Sequence, residues 1–150
     1  MKKALDSNKI AQIGIIVRDI EKTSQAYADF FGIEKPKAVW TDGYEKAETV
    51  YKEKPSNARA QLAFFDMGSV QLELIQPNEE PSTWKEYLDT HGEGVQHIAF
   101  ITDKMKERVD AMQSEGISLI QKGEYTGGRY AYMDTTEDLK VIFELLENDK

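Results

Sequence analysis

The feature that most restricts the fold of this chain is an internal repeat. The run from Asp19 to Gly32-Ile33 returns, at the same separation, as Asp103 to Gly116-Ile117. Leu72-Glu73-Leu74 returns as Phe143-Glu144-Leu145 near the end of the second copy. Each copy reads as strand, helix, then three strands, a βαβββ pattern. The expected class is α+β: two such modules forming one curved mixed sheet whose concave faces enclose a cavity, with the helices on its convex face. A length of 150 residues fits one domain. Module one is expected at about 9–80, a linking helix at about 81–92 and module two at about 93–148 of a single 1–150 domain.

Periodicity places the elements. Residues 11–17 are apolar and β-branched and read as a strand. Asp19 is the expected N-cap of the first helix, with Ile20, Ala26, Tyr27, Phe30 and Phe31 as its apolar stripe and Gly32 as its left-handed stop. Within 33–57 only 36–40 looks strand-like, and 41–57 is expected to be an excursion or flexible loop. Residues 59–68 and 69–77 form two strands. The second copy holds a strand from Gly94, a helix opened by Asp103 and closed by Gly116, and strands near 118–125, 128–135 and 140–147.

Composition excludes several classes. The chain is 40% hydrophobic and 31% charged, neither membrane-like nor disordered. No apolar run approaches the roughly 20 residues that span a bilayer, and the start, MKKALDSNKI, lacks an apolar segment of signal-peptide type. A net charge of −8, with scattered Lys and Arg, argues against nucleic acid as partner. With no cysteine there is no disulfide or thiol chemistry. A cytoplasmic location is expected.

Four polar residues interrupt the apolar strands. Gln12 heads the first strand and His97 stands at the equivalent point of the second copy. Glu73 and Glu144 lie in the two equivalent last strands. A glutamate buried in a strand without a partner is costly. Two at matching places call for a shared counter-ion, and a divalent metal is the simplest. Taken alone, Gln12 reads as a polar edge residue, each Glu as solvent-facing and His97 as a core histidine. The repeat raises all four together. One imidazole, two carboxylates and one amide oxygen suit Zn, Ni, Co, Mn or Fe(II). His91 has no repeat partner and reads as a structural or surface residue.

The paired pattern with "AQIGIIVRD", "LELIQP", "GVQHIAF" and "VIFELLE" resembles the vicinal oxygen chelate superfamily over about residues 9–147. Its members include glyoxalase I, methylmalonyl-CoA epimerase, extradiol dioxygenases and antibiotic-resistance proteins. The resemblance implies Gln12, Glu73, His97 and Glu144 as metal ligands and a homodimer, for which Trp40, Phe64 and Phe65 are candidate interface residues and equally candidates for the core. The ligand types look like the zinc-type glyoxalase I set. The linking helix and "TGGRYAYMD" look more like methylmalonyl-CoA epimerase. Ile16, Pro77 and Glu93 stand where glyoxalase I holds glutathione, and Gln61 stands where the epimerase carries its second glutamate.

The expected activity is that of a metal-dependent lyase or isomerase of glyoxalase I or epimerase type. It would abstract a proton next to a carbonyl of a small molecule, through a metal-stabilised enediolate or enolate. Glu144 is the expected base, with Glu73 second. Arg129, Tyr125 and Gln61 are the expected substrate contacts. The alternatives are a non-catalytic small-molecule binder of resistance type and a metal-dependent dioxygenase.

Overall fold

The computed structural model describes residues 3–150 and realises the repeat as two matching half-sheets. The first half runs β1 (Gln12–Ile16), α1 (Ile20–Phe31), β2 (Val39–Trp40), α2 (Tyr44–Ala47), β3 (Val50–Tyr51), β4 (Lys54–Pro55), β5 (Ala60–Asp66) and β6 (Gln71–Pro77). Helix α3 (Thr83–His91) connects it to β7 (Gly94–Ile101), α4 (Met105–Ser114), β8 (Leu119–Tyr125), β9 (Gly128–Met133), α5 (Thr136–Leu139) and β10 (Ile142–Asn148). The strands form one mixed sheet in the order β2-β5-β6-β1-β7-β10-β9-β8-β3-β4. In each half the first strand pairs in parallel with the last, and the two first strands, β1 and β7, meet antiparallel at the seam. The sheet curls into a half-barrel, so the expected α+β class and concave cavity hold.

Helix α1 starts where Asp19 accepts a hydrogen bond from the Lys22 amide and ends at Gly32, whose φ of 64° is left-handed. Its buried stripe is Ile20, Ser24 and Ala28, spaced by four, and Ile20 packs with Val17, Ala63, Phe65 and Leu74 on the convex side. Phe30, expected in that stripe, is 84% exposed. Helix α4 packs Met105, Val109 and Met112 against Ala131, Met133 and Leu145 on the same side. Asp103 does not cap it. The cap position is Lys104, in a left-handed conformation, and the Met105 amide donates to the Glu147 carboxylate from β10.

A third apolar cluster lies on the concave side. Trp84 and Leu88 of α3 close one end of the trough against Ile16, Ile75, Tyr132 and Ile142. The segment 41–57 is more structured than expected. It forms α2 and the β3–β4 hairpin, and β3 pairs with β8, so an insertion from the first half extends the edge of the second. Its strands are two residues long, and Glu48, Lys52 and Glu53 have positive φ, so no alternation betrays it.

Candidate metal centre

Strand alternation decides which side chains look into the trough. Gln12, Gly14 and Ile16 of β1 share the concave face, and Gly14 pairs with His97 of β7 across the seam. The His97 ring lies over Gly14. A Cβ at position 14 would stand 2.0 Å from His97 Cε1, so only glycine leaves room for the imidazole. Glu73 of β6 and Glu144 of β10 flank the seam strands one position out on either side. Parallel pairing of β6 with β1 and of β10 with β7 thus delivers the two repeat-related carboxylates to the repeat-related Gln12 and His97.

The donor atoms converge tightly. His97 Nε2 lies 3.0 Å from Glu144 Oε2, 3.5 Å from Glu73 Oε1 and 3.3 Å from Gln12 Oε1. All four residues are buried, His97 completely. On the far side of the ring, Nδ1 lies 3.0 Å from Gln96 Oε1, and Gln96 Nε2 donates to the Thr83 carbonyl. That carbonyl can only accept, which turns the Gln96 oxygen toward His97. Neutral His97 therefore carries its proton on Nδ1 and presents a lone pair at Nε2.

Four acceptors then face one another: an imidazole nitrogen, two carboxylate oxygens and an amide oxygen. Glu73 Oε1 and Glu144 Oε2 have no hydrogen-bond partner among the described residues. A proton on Nε2 would serve only one of the three oxygens. A divalent cation serves all four. Donors on a sphere of bonds about 2.1 Å long stand about 3 Å apart when adjacent, close to the 3.0–3.5 Å found around Nε2. Electrostatics agree. Burial, and then the charge of Glu144, push the Glu73 carboxyl well above the usual carboxylate range. A cation among these oxygens would offset both causes.

The cluster lies in the wall of a cavity of about 690 Å³. Trp84 lies at its floor and donates Nε1–H to the Tyr132 hydroxyl at 2.9 Å. Tyr130 and Tyr132 of β9 stand beside Glu144, and burial raises both phenols. Tyr125 lies on the wall, as expected, with its hydroxyl 3.3 Å from Asn148 Oδ1. Burial, then the charge of Glu144, push it up to about 12.

Two expected substrate contacts are corrected. Arg129 alternates with Tyr130 and Tyr132 and so points away from the cavity, to the face of Ala131 and Met133. Its guanidinium is held by Glu147 at 2.8 Å, Asp149 at 2.7 Å and Glu124 at 3.3 Å. Gln61 pairs with Gln76, on the opposite face of β5 from Phe64, which pairs with Glu73. The cavity-facing residues of that strand are Leu62 and Phe64. His91 lies far along α3, stacked on Tyr87 at 4.7 Å, a structural place. Gly14, Gln96, Trp84 and Tyr132 escaped the sequence reading. Only Gln96 carried a signal there, as a polar neighbour of His97 on an apolar strand.

Comparison with known proteins places this architecture. Residues 11–132 match the sequence profile described as the glyoxalase/bleomycin resistance protein/dioxygenase superfamily. The YqjC protein of Bacillus subtilis (strain 168) is 29% identical over 143 residues, covering 93% of this chain and 92% of its own. Among solved structures, the hypothetical protein BH1468 of Bacillus halodurans C-125 superposes with a TM-score of 0.67 at 23% identity, covering 97% of each chain. Methylmalonyl-CoA epimerase of Mycobacterium tuberculosis gives 0.65 at 19% identity, covering 100% of this chain and 94% of that one. The Streptomyces coelicolor epimerase in complex with 2-nitronate-propionyl-CoA gives 0.63 at 21%, covering 95% and 98%.

Proposed function

Since the chain belongs to the glyoxalase/bleomycin resistance protein/dioxygenase superfamily, we propose that it is a divalent-metal-dependent lyase or isomerase that abstracts a proton next to a carbonyl. Gln12, Glu73, His97 and Glu144 would hold the cation, with zinc the first choice for this donor set. The observation that carries this reading is the convergence of four buried acceptor atoms, two of them carboxylate oxygens without a donor, beside a cavity. A cation there would act as a Lewis acid on a substrate carbonyl and offset the negative charge that builds as the neighbouring C–H bond breaks.

Glu144 is assigned as the base. Its carboxylate faces the cavity between His97 and Tyr132, so a proton taken at an Oε atom stays out of bulk water. Returning that proton to the neighbouring carbon gives isomerisation, whereas epimerisation needs a different proton delivered to the opposite face of the same carbon by a second acid. Glu73 is the second candidate for the same task. Trp84 and Tyr132 close the floor and exclude water, and Tyr125 stands on the wall to contact the substrate. Gln96 keeps the His97 ring in one tautomer and one orientation. The substrate is a small molecule, and the protein is expected to work as a cytoplasmic homodimer.

The test is α-proton exchange in D₂O, followed by NMR, across hemithioacetals, 2-methyl acyl-CoA thioesters and 2-hydroxy ketones. Exchange that needs added metal and disappears in Glu144→Gln is the expected outcome. Exchange undiminished in that variant removes Glu144 as base, and none with any compound at full metal loading contradicts the reaction class.

A further inference from the structure

The cavity beside the cluster has a charge character that proton abstraction does not itself require. Among the described residues, no Lys or Arg lines it, whereas Asp42 stands on its wall in addition to Glu73 and Glu144; Glu124, at its rim, is ion-paired with Arg129 across the β8–β9 ladder. The two guanidinium groups nearby already have partners. Arg129 faces outward, one cation held by three acids. Arg59 lies over the Trp40 ring at 5.2 Å and donates to the Thr41 carbonyl. The rest of the wall is largely apolar. Val39, Trp40, Phe64, Ile101 and Tyr125, all large side chains more than a third exposed, gather on this one surface. Below them lie Trp84, Tyr130 and Tyr132.

We propose that this cavity selects an uncharged α-hydroxycarbonyl compound bearing an aromatic ring, and rejects substrates that carry carboxylates or phosphates, such as CoA thioesters. The oxygen-bearing head follows from the proton-abstraction reading, on which this part rests. The tail follows from the wall alone. A carboxylate or phosphate brought in would lose water and gain no cationic donor, beside Asp42, whose charge a cation at the Gln12–Glu73–His97–Glu144 cluster does not cancel. An aromatic ring meets Trp84 and the two tyrosines, which accept offset or edge-on partners. The volume of about 690 Å³ suits such a compound.

Two matched probes test the selection: 2-hydroxy-1-phenylpropan-1-one and its 4-carboxylate derivative. Binding to the metal-loaded protein is read by quenching of tryptophan fluorescence, since Trp40 and Trp84 both line the cavity. The neutral probe is expected to bind at least about tenfold more tightly, the scale of one unfavourable charge contact. The variant Asp42→Asn is expected to narrow that gap several-fold by improving the carboxylate's binding alone. Equal affinities, tighter binding of the carboxylate or of methylmalonyl-CoA, or no binding of the neutral probe overturns the proposal. Hydrogen exchange on the same samples is read separately. Selective binding without exchange would overturn the reaction and leave the selection standing, and exchange with both probes at equal affinity would do the reverse.

Discussion

Replacing Gly14 with alanine tests the construction of the site at its tightest point. The added Cβ would stand 2.0 Å from His97 Cε1 and 2.5 Å from both ring nitrogens, where ordinary contact begins at about 3.4 Å. The ring must therefore retreat by about 1.4 Å, the difference between those two separations. It cannot do so freely, because Nδ1 is tied to Gln96 and Tyr132 packs at a ring-centroid distance of 5.0 Å. Overpacking of this kind costs about 1–3 kcal/mol. A ligand atom is tolerated within about 0.2 Å of its place, so the same displacement should lower metal affinity by about 10–100-fold, as loss of an orienting partner does. Urea unfolding of the metal-free protein reads the first quantity, and competition with a chelator reads the second. Gly43→Ala is the control, since a Cβ there meets nothing within 4 Å. Metal affinity in Gly14→Ala within about twofold of the parent, against a measured loss of stability of that size, would refute the placement of His97.

Further outcomes follow from the same geometry. Because Glu73 is raised in the metal-free fold, first by burial and then by Glu144, the folded state holds more protons than the unfolded state above the ordinary carboxylate value of 4.5. Metal-free stability should therefore fall as pH rises from there through the folded pKa; Glu73→Gln should abolish most of this slope, and urea midpoints from pH 4 to 9 that rise or stay flat would contradict it. Glu144→Gln should lower turnover by about 10²–10⁴-fold, the usual weight of a general base, with the fold intact by circular dichroism. Gln96→Leu should weaken metal binding by about 10–100-fold while sparing the fold, measured by chelator competition. Arg129→Met should cost about 1 kcal/mol or less, its partners being largely solvated, and leave ligand binding unchanged; a selective loss of binding would return Arg129 to the cavity.

Much of the site was legible because the repeat links residues that are far apart in sequence. Gln12 matched His97 and Glu73 matched Glu144 before any contact was known, and parallel pairing of β6 with β1 and of β10 with β7 brings them to one point. What failed depends on register. A one-residue shift moves a strand side chain to the other face, and nothing local in 59–66 reveals that Phe64, not Gln61, stands with Glu73. Arg129 failed likewise, since its face is set by the pairing of Tyr132 with Glu144. The α4 cap comes from Glu147, more than forty residues away, which hides it from any local signature. The His97 ring needs Gly14 beneath it, a requirement visible only once β1 and β7 lie side by side.

The central claim is that Gln12, Glu73, His97 and Glu144 together hold one divalent cation. Elemental analysis tests it most directly, after loading with zinc and gel filtration, on the parent chain and on Glu73→Gln/Glu144→Gln. One equivalent per chain in the parent and none in the double variant is the expected result. No retained metal in the parent, or equal retention in both, would contradict it.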